Sequence, residues 1–206
     1  MIITIDGPSG VGKGTVARLL AKHYKFSYLD TGLLFRQVAF LLLTQKGDLN
    51  KEEDVLKALS ALDLQSESAS SKLRTDEVSQ AASKISTYLA LRKELLIRQR
   101  EFATSKENKV VFDGRDMGTV VFPDAEKKIF LEASAEVRAK RRVDDLEGKG
   151  LQAEFQEILQ SIQERDLRDA TRAIAPTKPA SDALIIDTSD LSIEDVFQRC
   201  VSFVEK

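Results

Sequence analysis

Cysteine is nearly absent: Cys200 stands alone among 206 residues. One thiol cannot form a disulfide framework or a cysteine-type metal site, so a reducing, cytoplasmic setting is expected and Cys200 is read as a packing residue. Histidine is equally scarce. His23 lies in the first predicted helix with no partner in the sequence, which leaves it a structural or exposed role. Long apolar runs are missing too, since Leu41-Leu42-Leu43 falls far short of the roughly 20 residues that a spanning helix needs. The amino terminus reads directly as a strand with no basic leader, so neither a signal peptide nor a membrane span is expected. Neither sign of charge dominates. Thirty-one basic against 33 acidic residues give a net charge of −2, which removes any global case for nucleic acid or an anionic membrane as partner. A local basic cleft stays open. Repeats, low-complexity tails and dividing linkers are also lacking, and the length suits one domain able to bury roughly 70% of its unfolded surface. It is expected to act as a monomer on small molecules.

What is present begins at the first residue. Met1-Ile-Ile-Thr-Ile-Asp6 is an apolar strand that runs into Gly7, Pro8, Ser9, Gly10, Val11, Gly12, Lys13, Gly14 and Thr15, after which a helix begins. Such a glycine-rich loop turns successive N–H groups into one concavity at the positive end of a helix dipole, a shape suited to a polyphosphate. Lys13 supplies an ammonium for the terminal phosphates. The usual pattern places Ser or Thr directly after the lysine as a magnesium ligand; here Gly14 holds that place and the hydroxyl follows at Thr15. Magnesium is therefore expected to be held mainly by phosphates, water and another carboxylate.

Alternating apolar strands and amphipathic helices follow. The strands are read at 26–29, 110–113, 127–131 and 183–187; helices are read from Thr15 to Tyr24, after a Thr31-Gly32 cap through about Leu43, and over 51–62, 76–87, 89–103, 135–147, 153–172 and 192–206. Thr75 and Ser192 are predicted caps, the latter in an S-x-x-D box with Asp195. Residues 63–73 read as irregular. Five uniformly apolar strands in βα alternation predict an α/β fold with a parallel sheet covered on both faces, whose ligands lie beyond the carboxyl ends of the strands.

The residues after each strand are therefore the candidates. Asp113 ends the third strand, where it can hold magnesium through water or simply cap the next turn. Arg36, Arg115 and Arg172 can each bind phosphate oxygens bidentately. Arg165, Asp169 and Arg172 share one face if the helix continues, and the apolar stripe of Phe155, Ile158, Leu159 and Ile162 is expected to be buried and to turn charged there; a plain i, i+4 ion pair between Arg165 and Asp169 is the alternative. Arg138, Lys140, Arg141 and Arg142 form either a solvated basic turn or a lid over the donor phosphates.

Taken together, Ile5-Asp-Gly-Pro-Ser-Gly-Val-Gly-Lys-Gly-Thr15, Asp113-Gly-Arg-Asp-Met-Gly-Thr-Val-Val-Phe-Pro-Asp-Ala125, Glu77-Val-Ser-Gln-Ala-Ala-Ser83, Leu91-Arg92, Arg98-Gln-Arg-Glu-Phe102 and Arg165-Asp-x-Arg-Asp-x-x-Arg-Ala173 with Ala175-Pro176 resemble the bacterial cytidylate kinases of the nucleoside monophosphate kinase group. The resemblance spans nearly the whole chain. It implies a P-loop kinase with a five-stranded parallel sheet flanked by helices, with a core at 1–30, 106–134 and 173–206. An inserted helical monophosphate-binding subdomain is implied at 31–105 and a lid at 138–172, hinged near Gly148 and Gly150. The implied reaction moves the γ-phosphoryl group of ATP, with Mg2+, to CMP or dCMP; a kinase for another small acceptor such as UMP is the alternative. By the same resemblance, residues 7–15 hold the ATP phosphates and Ser83, Arg92 and Asp116 read the cytosine edge. Arg36, Arg115 and Arg172 lie near the acceptor phosphate or the transferring group, and Arg165 and Asp169 near the acceptor's ribose. Two departures stand out: Phe35 replaces the tyrosine common in the family, and Ala61 to Arg74 is shorter than in many members, so acceptor affinity and ribose preference are expected to differ.

Overall fold

The structure, a computed structural model, describes residues 1–62 and 71–206. The irregular stretch expected at 63–73 and the shortened insert therefore fall largely outside the described residues. The strand and helix patterns of the sequence become β1 (Ile2–Asp6), α1 (Lys13–Tyr24), β2 (Ser27–Asp30), α2 (Thr31–Thr44), α3 (Glu52–Ser60), α4 (Asp76–Ile85), α5 (Leu89–Ser105), β3 (Val110–Asp113), β4 (Lys127–Glu132), α6 (Ala135–Glu147), α7 (Phe155–Thr171), β5 (Leu184–Asp187) and α8 (Ile193–Val204). The strands form one sheet in the order β2-β3-β1-β4-β5. β1 lies parallel to β3, with Ile5 opposite Asp113, and parallel to β4, which in turn pairs with β5.

The chain divides into two compact units, residues 1–29 with 106–206, and residues 30–105. In the first, the apolar faces of α1 and α8 cover one side of the sheet. Val16, Leu20, Val196 and Cys200 join Ile3, Ile5, Val111, Ile129 and Leu131 in a single buried cluster. Alternation along β3 turns Phe112 to the other side, where its ring lies 4.5 Å from that of Phe122. Cys200 is wholly buried, and burial pushes its thiol up to about 12, so it packs and does not react. His23 meets Tyr24 and Phe197 edge-on, a structural role.

The uniform covering expected for all five strands fails at β5. Ile186 is buried beneath α8, but Ile185 is 51% exposed, because an edge strand has a neighbour on one side only and cover here on one face. In the second unit α2 packs on α3 and α4, around Val38, Leu42, Val55 and Ile85.

Caps explain the boundaries. Thr75 Oγ1 accepts the Val78 N–H, and Ser192 and Asp195 exchange both bonds of a capping box. At α2 the cap is Asp30, whose carboxylate accepts the Leu33 N–H, so Thr31 is already helical rather than part of the cap. α7 ends one residue before its expected end. Arg172 has left the helix, with ψ 141.

Candidate active site

β1 delivers the chain to the phosphate loop, and two glycines there are forced by geometry. Gly7 has φ 145, and a Cβ on it would lie 2.0 Å from the Leu131 carbonyl oxygen of β4. Gly12 caps α1 in the left-handed region, at φ 93, with no side chain bonded across the helix end. The first N–H groups of α1 thus meet no side-chain cap, the arrangement in which helix N-termini bind phosphate. Lys13 is buried and its Nζ donates to the Pro8 carbonyl at 2.6 Å. Burial holds this ammonium well below its usual range; the Arg115 and Arg165 cations act in the same direction, against Asp113 and Asp6. A bound polyphosphate would reverse that balance.

Gly14 also has a steric reason. A Cβ there would meet Asp113 Oδ2 at 3.0 Å, the Tyr28 hydroxyl at 3.3 Å and Arg18 at 3.4 Å. The missing hydroxyl of the usual loop is therefore replaced by close approach of a carboxylate. Asp113 itself is buried and accepts from the Tyr28 hydroxyl at 3.0 Å. Among the described residues no group of three or more His, Cys, Asp or Glu could hold a metal ion unaided. One buried carboxylate beside the loop fits a cation that arrives on the phosphates of a nucleotide, not a resident metal.

Beyond β3 and at the end of α7 the first unit gathers charge. Asp169 lies 3.5 Å from Arg115, 3.7 Å from Arg165 and 4.0 Å from Arg172, while Arg172 lies 3.9 Å from Asp116. Three guanidinium groups face two carboxylates, and all five side chains are at most 16% exposed. Such an excess of buried positive charge is costly by itself and favours an anionic ligand. Arg165 also donates to Ser9 Oγ at 3.3 Å, which ties this cluster to the phosphate loop. The Arg172 Nε donates to the Ala175 carbonyl at 2.7 Å, and Ala175 adopts φ 50. Arg172 is thus aimed by the turn after α7 and not by the helix face assumed from spacing. The apolar stripe at Phe155, Ile158, Leu159 and Ile162 is only half-buried; within α7 the fully buried side chain is Asp169. Ion pairing rather than a greasy stripe anchors that end of the helix.

The second unit carries the remaining candidates. Arg36 sits half-buried on α2, and Ser83 is buried on α4. Ser86 links two of the positions: its hydroxyl donates to the Ser83 carbonyl at 2.7 Å and its own carbonyl accepts from Arg92 at 3.1 Å. The Arg92 guanidinium also lies over the Phe35 ring, 5.6 Å from its centre. Phe35 keeps the aromatic face that a tyrosine would present there.

Four side chains have roles in the structure that the sequence did not assign them. Tyr28 holds Asp113, as described. Arg138, read as part of a solvated basic turn or of a lid over the donor phosphates, is buried and donates to the Ser9 carbonyl at 3.1 Å and to Asp166 at 2.5 Å. Arg141 likewise donates to the Thr188 carbonyl at 2.5 Å. Neither is a solvated face; Lys140, between them, is exposed. The fourth is Asp6, whose two carboxylate oxygens accept the N–H groups of Met117 and Gly118 at 2.9 and 2.8 Å. An acid closing an otherwise apolar strand was the available signal for it. Burial, with the nearby Asp116 charge, pushes Asp6 up to about 7 despite those two N–H groups and Lys13.

A family model described as cytidylate kinase matches residues 3–206. The cytidylate kinase of Pasteurella multocida is 46% identical, with 100% of this chain and 96% of that protein covered. That of Vibrio cholerae is 45% identical, over 99% of this chain and 96% of its own length. Among solved structures, shikimate kinase from Bacteroides thetaiotaomicron superposes with a TM-score of 0.52 at 17% identity, covering 100% of this chain and 99% of that one, a likeness of fold.

Proposed function

The chain belongs to the cytidylate kinase family, and from that premise we propose how its residues share the work. The enzyme transfers the γ-phosphoryl group of ATP to CMP or dCMP, giving ADP and CDP or dCDP. The observation that carries the assignment of the site is the excess of buried cations at Arg115, Arg165 and Arg172, tied through Ser9 to the loop that begins at Gly7. Phosphoryl transfer asks little covalent chemistry of a protein and much alignment and charge neutralisation.

Residues 7–15 bind the ATP phosphates, with Lys13 on the terminal pair. Mg2+ enters with ATP, and Asp113 is the carboxylate that would hold it through water; the ion supplies further neutralisation of phosphate charge. Asp169 and Asp116 hold the arginines in the absence of substrate, and phosphate oxygens take over part of that role when it binds. Arg115 and Arg172 serve the transferring group, Arg165 and Asp169 the acceptor ribose and Arg36 the acceptor phosphate. Ser83, Arg92 and Asp116 read cytosine, whose amino group needs an acceptor and whose ring nitrogen and carbonyl need donors. Residues 31–105 serve as the monophosphate-binding insert and 138–172 as a lid that excludes water. The protein works as a cytoplasmic monomer; no helix among the described residues is long and apolar enough to cross a membrane.

Acceptor profiling tests the reading. With ATP and Mg2+, CMP and dCMP should be turned over with far higher kcat/KM than UMP or AMP. Good turnover of another monophosphate with none of CMP or dCMP would refute it.

A further inference from the structure

Asp6 is the last residue of β1 and the residue immediately before the phosphate loop. Its carboxylate does not face that loop's concavity as a ligand would. Instead each oxygen accepts one backbone N–H, from Met117 at 2.9 Å and Gly118 at 2.8 Å. Those two amides open a single π-helical turn, Met117–Val121, that follows directly on Arg115 and Asp116. The turn is pressed in from the opposite side as well. A Cβ on Gly118 would meet Thr4 Oγ1 at 3.0 Å and the Lys128 side chain at 3.3 Å. A main-chain bond from the Gly114 N–H to the Ile5 carbonyl, 3.0 Å, fixes the residue before Arg115 to the same strand. The segment 114–118 is therefore gripped at both ends by β1, once through backbone and once through the Asp6 side chain. Between those grips lie Arg115, paired with Asp169, and Asp116, paired with Arg172.

We propose that Asp6 is a positioning residue for the acceptor side of the reaction: its carboxylate ties the turn at Met117 and Gly118 to the start of the phosphate loop, and so sets where Arg115 and Asp116 stand relative to the donor phosphates. The proposal rests on the roles given to Arg115 and Asp116 above. The Asp6 carboxyl group offers one acceptor oxygen to each of the two N–H groups. An asparagine has the same shape but turns an NH2 toward one of them, leaving a buried donor facing a donor. Displacement of a catalytic group by about 1 Å is enough to cost orders of magnitude in rate.

Asp6→Asn is the test, with initial rates on CMP and UMP and a thermal melt on the same preparation. We expect kcat with CMP to fall about tenfold or more, and the CMP-over-UMP ratio of kcat/KM to fall with it, while KM for ATP stays within about threefold. A purely structural role lowers the folded fraction and leaves the ratio untouched. Gly118→Ala disturbs the same turn from its other side and should give the same loss of ratio, which keeps the test open if Asp6→Asn does not fold. A folded Asp6→Asn or Gly118→Ala protein with the wild-type CMP-over-UMP ratio overturns the proposal. Failure of the wild-type enzyme itself to prefer CMP overturns the underlying reading instead, so the two failures are separable.

Discussion

The two compact units hold their functional side chains in opposite ways. In residues 1–29 with 106–206 the arginines are held by charge: Arg115, Arg165 and Arg172 converge on Asp169, and Arg172 reaches Asp116 as well. In residues 30–105 Arg92 donates to the Ser86 carbonyl and lies over the face of the Phe35 ring. Ion pairs at 3.5–4.0 Å, longer than a tight charge-assisted bond, leave guanidinium groups that a more highly charged phosphate can recruit. A guanidinium seated on an aromatic face and a carbonyl keeps its orientation whether or not a ligand is charged. The first arrangement suits stabilisation of charge that develops during transfer; the second suits reading a neutral base. Substitution of Arg115 or Arg172 should therefore act on kcat, and substitution of Arg92 on KM and selectivity.

The strongest way to break this contrast is Arg172→Ala, which removes a cation held by both carboxylates. We expect kcat to fall about a thousandfold, as for loss of an arginine that stabilises phosphoryl transfer, with a smaller change in KM for CMP. A drop confined to KM would place Arg172 with the binding residues. Gly14→Ser comes next. It restores the hydroxyl that most phosphate loops carry after the lysine, yet its Cβ would stand 3.0 Å from Asp113 Oδ2. Turnover should fall about tenfold or more with a raised KM for ATP; an increase would show that the loop can take the usual pattern. For the second unit, Arg92→Ala should raise KM for CMP about tenfold, the cost of one charged hydrogen bond, and leave kcat within a few-fold. Steady-state kinetics that show equal losses in kcat and kcat/KM would erase the distinction between the units.

The smallest expected effect is on stability. Asp6 is pushed from 3.8 up to about 7 in the folded protein. Between those values the native state binds a proton that the unfolded state has released, so this group's contribution is fully present below about pH 4 and is lost as pH rises to about 7. Asp6→Asn removes the dependence. The melting temperature of that variant relative to wild type should thus climb by a few degrees from pH 5 to pH 8. A difference that is flat or falls with pH would show that Asp6 is ionised throughout.

Much of how the candidate residues are brought together could be read from residues in order. Lys13, Asp113 and the Gly-Arg-Asp segment each follow an apolar strand, and in a parallel sheet the carboxyl ends of neighbouring strands converge, so their proximity needed only the strand pattern. Arg172 shows where that logic stops. Spacing put it on one helical face with Arg165 and Asp169, but the chain leaves the helix at Thr171, and a bond to the Ala175 carbonyl aims the side chain. Arg138 shows the same limit in the other direction: a run of basic residues reads as a wet surface until a distant loop carbonyl and Asp166 are found against it.

The sequence by itself determined the fold class, the phosphate loop and the family, because strand and helix periodicity and contiguous motifs are local properties of the chain. The tertiary structure decided which partners each charge has. It turned Asp6 toward two amides 111 and 112 residues away, set Asp113 against Gly14 and gathered three arginines on Asp169. Those outcomes depend on how β1, β3 and the end of α7 are brought side by side, and no local pattern encodes the direction of a side chain across that distance.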